Sequence, residues 1–447
     1  MHDATADTIY TAGWREGATA ATLLEVRPEC LRQMAAPVGT PEPRGPERLA
    51  PPPGENPADP AIGKWAAVVL EQDRDAAIDA LAPLIDQRRA LNYLWKDGIV
   101  TVEPPVSGTP ESWLRRLERA VGDDGPHYLL LVGGPDRFPF ELQYELDLRM
   151  ISGRLDASDT PGGPFSWDAC RRYAEKVVAY EQGKIGLASK PLFYSLTSDA
   201  HTRVSHDHLV LKLSQTVPGG VTELYGDDAT VANLLAALSA ESAPKLVFTA
   251  SHGVEFPAEP SRWGALTDAA YRGRPGDALV SAQLVSNSER FGRGSIVFGF
   301  ACFSAGVPEC SSLAFLVGES DVVTGMGAMV APLPRQLLGS PNGPVGFVGH
   351  VDRVSAVSFQ SSFGMAGIAP FRDFASWLRQ KSATVGRALE TMRENARSVG
   401  ARVAESLALA AQDTGNSATV KEAGRKWVGF YDYRGFILLG DPALTPP

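Results

Sequence analysis

The sequence predicts an α/β fold: a mostly parallel sheet with helices on both faces, in two subdomains. Three observations carry this. Apolar runs such as WAAVVLEQ, HYLLLVGG, KLVFTASHG and SIVFGFACFSAG lack polar alternation, as expected of strands covered on both faces. Helical periodicity separates many of them, and that order of elements builds parallel sheets. The chain has 447 residues, 44% hydrophobic and 21% charged, enough for about two to three units of ordinary globular composition.

Along the chain, residues 1–36 form a short N-terminal segment. Residues 37–62 carry nine prolines from Pro37 to Pro60. Proline fixes φ and removes a donor, so this stretch reads as an extended linker or strap. The first subdomain spans 63–165. WAAVVLEQ predicts a strand and DAAIDALAPLIDQRRA a helix interrupted at Pro83. PESWLRRLERAVGDD predicts an amphipathic helix, and HYLLLVGGPDRFPF opens with a buried strand. The second subdomain spans 166–447. It opens with a helix at about 167–182, and KPLFYSLTS and VTELYGD read as strands. TVANLLAALSA is a helix, and KLVFTASHG, SIVFGFACFSAG, VVTGMGAMVAP and GPVGFVGHVDR are strands. Long helical periodicity starts at TVGRALETMRENARSVG, and FILLGDPAL supplies a last strand.

Charge and cysteine content exclude several functions. Lys and Arg number 42 against 52 Asp and Glu, a net charge of −10, which disfavours a nucleic-acid partner. No window approaches 18 consecutive apolar residues, so no membrane span is predicted. MHDATADTIYTAGWREG is acidic where a signal peptide needs a basic and then an apolar region. The four cysteines, Cys30, Cys170, Cys302 and Cys310, form no CxxC pair, so neither a disulfide scaffold nor a cysteine zinc site is predicted. The expectation is a cytoplasmic protein with reduced thiols, no cofactor and no metal.

In parallel sheets, ligands and reactive groups collect beyond the carboxyl ends of the strands. KLVFTA ends in Ser251-His252-Gly253, and SIVFGFA ends in Cys302-Phe303-Ser304. A cysteine becomes a nucleophile when a base or positive charge favours its thiolate, and a histidine supplies that. Gly253 lets the backbone approach a substrate carbonyl. The N–H groups of Gly253 and Cys302 are therefore the candidate oxyanion donors. Taken alone, Cys302 also reads as a small buried hydrophobe.

With these motifs the chain resembles the clan CD cysteine peptidases, a group that includes caspases, gingipains, separase and bacterial CHAT proteins. Caspases place their histidine about fifty residues before the cysteine, the separation of His252 and Cys302. LLLVGGPDRFPF resembles the first subdomain of gingipain-like peptidases. GPVGFVGHVDRVSAVSF and FILLGDPAL are similar to bacterial CHAT and gingipain-like domains. The likeness runs from about Trp65 onward. Phe-Ala precedes the cysteine where caspases have Gln-Ala, a departure that sets this chain apart from caspase Asp specificity. The resemblance implies a caspase-like fold and a bacterial, cytoplasmic endopeptidase acting on a protein substrate. Cys302 would form a thioester with the scissile carbonyl. His252 would protonate the leaving amine and then help water to deacylate.

Other candidates keep two readings each. His350 and Asp352 in FVGHVDRV fall on one face by strand alternation, either as a structural hydrogen-bond network or as a specificity pocket. The resemblance to separase-like proteins lets Asp352 receive a basic P1 side chain, whereas neighbouring Arg353 favours an acidic one; the reading taken is Asp352 and a basic P1. His206-Asp207-His208 is either a metal-binding pair or a polar helix start, and the latter is preferred. Glu255 reads as a solvent-facing loop carboxylate, Cys310 as structural and Asp441 as a turn former. Gly133-Gly134 lacks the dinucleotide fingerprint. EFPAEPSRWGALTDAAYRGRPGD reads as a lid that reorders before cleavage, in response to an activating partner or signal. A catalytically silent peptide-binding scaffold and a small-molecule hydrolase or acyltransferase are the alternative functions.

Overall fold

The structure is a computed structural model that describes residues 8–10, 13–15, 23–25, 56, 58–105, 108–122, 124–255, 259–271, 277, 279–311, 313, 327–359, 367–380, 383–412 and 417–447. Its centre is a ten-stranded sheet. In chain order the strands are β1 (Trp65–Leu70), β2 (Leu94–Val102), β3 (Tyr128–Val132), β4 (Ile151–Leu155) and β5 (Leu192–Ser195). They continue with β6 (Thr222–Tyr225), β7 (Leu246–Ala250), β8 (Ile296–Phe300), β9 (Gly346–His350) and β10 (Phe436–Leu439). The spatial order is β6-β5-β7-β8-β9-β10-β4-β3-β1-β2. Helices flank the sheet, so the predicted α/β class is the observed one.

The two faces are legible in the strands. Ala67, Val69, Leu130 and Val132 pack into one hydrophobic cluster with Ala77 and Leu81 of helix Arg74–Ala90 and with Tyr173 and Val177 of helix Trp167–Glu181. Ala66, Val68, Leu129 and Leu131 point the other way, onto Trp113 and Leu117 of helix Pro110–Val121 and Leu142 of helix Phe140–Asp147. Every second residue serves one layer, so continuous apolar runs were needed. Beneath the later strands lies an aromatic stack. Phe248 of β7 stacks on Phe298 of β8 at 4.9 Å, and Phe371 and Phe374 of helix Ala369–Trp377 meet Phe298 edge-on. Such contacts brace the middle of β7 and β8.

All pairings in this sheet are parallel except β9–β10. The sheet is thus one surface with a seam. Strands β5 to β9 run one way, and β1 to β4 with β10 run the other. The carboxyl ends of the two sets open on opposite edges.

Several expectations need correction. Helix Arg74–Ala90 runs straight through Pro83. Burial of Leu81, Leu84 and Ile85 around it outweighs a cost of about 3 kcal/mol for an interior proline. Of VVTGMGAMVAP, residues 322–326 lie outside the described set; the described part holds the two-residue strand Met329–Val330 and the start of helix Pro332–Gly339. The proline-rich stretch also lies mostly outside it, and its described end forms the helical turn Pro60–Gly63, capped by Asp59. The segment read as a lid is packed over its described residues. Trp263 sits edge-on to Phe303, and Leu266–Thr267 joins an antiparallel pair with Leu279–Val280. Buried Trp263, Ala265 and Leu266 give that segment a core of its own. No helix among the described residues is long and apolar enough to cross a membrane.

Candidate functional site

Four adjacent parallel strands deliver the site. Ser195 pairs with Ala250, Ala250 with Phe300 and Gly299 with Gly349, so β5, β7, β8 and β9 stop almost level. Just past those ends come Asp199, His252, Cys302 and the Asp352-Arg353 pair. Strand register brings four positions far apart in sequence to one rim.

Asp199 begins helix Ala200–Ser205 as its N-cap. Its Oδ1 accepts from the backbone N–H groups of His201 at 2.8 Å and Thr202 at 3.0 Å. Its Oδ2 is 2.6 Å from His252 Nε2. Burial pushes this carboxyl up. The His252 bond and charge, with the two backbone donors, more than reverse that and hold it well below the ordinary carboxylate range. A fixed carboxylate on one ring nitrogen orients an imidazole and sets its tautomer.

Cys302 and His252 are 0% and 2% exposed. Burial raises the Cys302 thiol. Against that, the Val354 N–H donates to Cys302 Sγ at 3.2 Å, a contact that favours thiolate. The turn around the sulfur is strained: Phe303 has φ 56° and Asp352 φ 79°, a region costly for side chains of these kinds. It is held by Phe303 N–H donating to Asp352 O at 2.7 Å and by Asp352 N–H donating to Gly306 O at 3.2 Å.

Gly253 presses on the same turn. A Cβ there would lie 1.7 Å from the Cys302 carbonyl oxygen and 3.0 Å from its nitrogen. Only glycine fits, and the backbones carrying the two candidate oxyanion donors lie against each other.

The specificity pair looks different from the sequence expectation. β9 ends at His350, and the left-handed Asp352 breaks the alternation that placed both side chains on one face. Instead, His350 Nδ1–H donates to the Asp352 carbonyl at 3.1 Å. Burial pushes the His350 imidazole down to about 4. Asp352 is buried, accepting from Tyr431 Oη–H and from the Arg353 N–H, each at 2.7 Å; burial raises its carboxyl. Arg353 Nε donates to Glu255 at 2.9 Å in a buried ion pair. Although burial disfavours its charge, Glu255 keeps that guanidinium more firmly protonated than usual. Glu255 is therefore not a solvent-facing loop residue: it lies on strand Gly253–Glu255 and is neutralised across the rim.

His206 was expected at a helix start, but the helical segment begins six residues earlier, at Ala200, after the Asp199 cap. His206–Val210 is a π-turn within that segment. His206 Nδ1 meets Ser195 Oγ at 2.8 Å and its ring stacks on Tyr225. Among the described residues no group of three or more His, Cys, Asp or Glu is placed to hold a metal. Cys310 is exposed. Asp441 makes its turn, accepting from Ala443 N–H at 3.0 Å, and also anchors Trp65 Nε1–H and Arg88.

Asp199 is the residue that the sequence reading missed. The signal was present: KPLFYSLTS reads as a strand, and Asp199 follows its end as His252 follows KLVFTA. Its cap pattern, Asp199-Ala-His-Thr202, marks a helix start but not a contact fifty-three residues downstream.

No family model matches the chain, and no curated protein does. The chain is similar to a solved structure described as a protease, with 13% identity over 86% of this chain and 78% of that one and a TM-score of 0.49.

Proposed function

We propose that the protein is a cysteine endopeptidase in which Asp199 orients His252 and Cys302 is the nucleophile. The observation that carries this is the arrival of carboxylate, imidazole and thiol from three neighbouring strand ends, with Asp199 and His252 2.6 Å apart. In the first half-reaction Cys302 gives its proton to His252, and its sulfur forms a thioester with the substrate carbonyl. The C–N bond breaks as His252 passes the proton to the leaving amine. Water, losing a proton to His252, then cleaves the thioester and restores the thiol. The Gly253 and Cys302 N–H groups are the proposed oxyanion donors.

The proposed substrate is a protein. A basic P1 residue remains the proposal, with the receiving carboxylate widened from Asp352 to Asp352 or Glu255; an acidic P1 would pair with Arg353. Incubation with Arg- and Asp-terminated peptidyl acyloxymethyl ketones, followed by intact mass, tests this reading. A single adduct on the wild type, absent from Cys302→Ala, is the expected result. The preferred probe then identifies the P1 charge. The burial and raised thiol of Cys302 favour a second reading, a silent peptide-binding scaffold. That reading stands if peptides bind and neither probe reacts even after the cleft is opened.

A further inference from the structure

Strand Gly253–Glu255 follows His252 directly, and what covers it is another part of the same chain. On its inner side Val254 uses both backbone groups. Its N–H donates to Ala265 O and its carbonyl accepts from Gly264 N–H, each at 3.2 Å. By strand alternation, Gly253 and Glu255 direct their backbone groups to the outer side. That side is taken by residues Gly13–Arg15 in parallel register: Gly253 opposite Gly13, Val254 opposite Trp14, Glu255 opposite Arg15. The Gly253 carbonyl and the Glu255 N–H thus face a strand contributed by the N-terminal segment, on the residue that carries the proposed oxyanion donor.

The same segment also reaches the chain that follows Val354. Strand Thr8–Tyr10 lies beside the turn Ala356–Phe359. That turn starts two residues after Val354, whose N–H holds Cys302 Sγ. The two described stretches thus lie against the residues that follow His252 and the turn that follows Val354, and the His252 and Cys302 side chains are both buried. Peptide substrates commonly bind by adding a strand to an open sheet edge. Here that edge is already filled.

We infer that the outer edge of strand Gly253–Glu255 is where an extended protein substrate docks, and that Gly13–Arg15 is its resident occupant. The N-terminal segment then competes with substrate, and the enzyme opens when this segment leaves. The inference rests on the endopeptidase reading for the identity of the displaced ligand, but not for the gating itself.

The test is Trp14→Pro in the full chain, which removes the N–H facing the Gly253 carbonyl. Cys302 reactivity is read with 2-chloroacetamide and peptide mapping, with exposed Cys310 as the internal rate standard. Hydrogen exchange of the Glu255 amide reports whether the strand has opened. The expected result is faster Glu255 exchange and Cys302 alkylation about tenfold or more faster, the loss of one or two backbone hydrogen bonds. A synthetic peptide of residues 8–15 should slow alkylation again. Faster Glu255 exchange with unchanged alkylation overturns the inference and leaves the peptidase reading intact. Faster alkylation with no reaction of the peptidyl probes keeps the gate and removes the peptidase. If Trp14→Pro melts early, Trp14→Gly is read by the same two measurements; opened but unreactive, it too overturns the gate.

Discussion

The two strand sets of the sheet end in the same way and use their ends differently. Beyond β5, β7 and β8 stand a carboxylate, an imidazole and a thiol that converge on one rim. Beyond β1, β3 and β4 the corresponding positions are spent on closure. Arg154, on β4, is buried and donates to Gln143 Oε1 at 2.9 Å, Gly133 O at 3.0 Å and Phe138 O at 2.7 Å. Burial pushes its guanidinium down to about 10. Asp156, just past β4, pairs with Arg335 at 3.0 Å, and Arg137 pairs with Asp73 past β1. Strand-end geometry is common to both halves; past β5 and β7 a carboxylate meets an imidazole, whereas past β1 and β4 the carboxylates meet guanidinium groups.

That contrast can be broken at four points. Replacing Cys302 by alanine should abolish probe labelling and lower turnover by about a thousandfold or more, whereas Cys170→Ala, a buried thiol beside the first strand set, should leave both unchanged; intact mass and peptide hydrolysis decide. Asp199→Asn keeps the shape but misorients the imidazole, so kcat should fall by about a hundred- to ten-thousandfold with KM little altered. A fall in KM binding alone would make Asp199 only a helix cap. Arg154→Met should do the reverse. It leaves buried acceptors unpaired and should cost about 3–5 kcal/mol in urea unfolding, while kcat per folded molecule stays the same.

The smallest effect is on pH. His350 titrates near 4 when folded and near 6.5 when unfolded, so between those values the unfolded chain binds more protons. Its contribution is complete above about pH 6.5 and is lost as pH falls toward 4, on the order of 3 kcal/mol in total. Urea midpoints at pH 7 and 5 should therefore converge in His350→Gln. An unchanged pH dependence in that variant would place the acid sensitivity elsewhere.

Much of this could be read from residues. Strands covered on both faces announce themselves as unbroken apolar runs, and His252 and Cys302 stood where such runs stop. Asp199 was harder, because a capping aspartate looks the same whether its second oxygen meets water or an imidazole. Asp352 was misplaced because alternation holds only while φ stays extended, and nothing local announces φ 79°. Glu255 lost its charge partner to distance: Arg353 lies 98 residues away. The two-residue strands were also hidden, since they are set by pairing and carry no periodicity of their own.

The position of β10 has a consequence for the order of events during synthesis. This strand is the seam, antiparallel to β9 and parallel to β4. Just beyond it, Asp441 accepts from Trp65 Nε1–H across 376 residues of sequence. Neither strand set can be joined to the other until residues 436–439 have left the ribosome. Such long-range closure is slow to form. A nascent chain would therefore carry His252 and Cys302 for some 130 residues of elongation before the sheet is joined. Strand β10 thus acts as a clock, holding the two strand sets apart until residues 436–439 have been made.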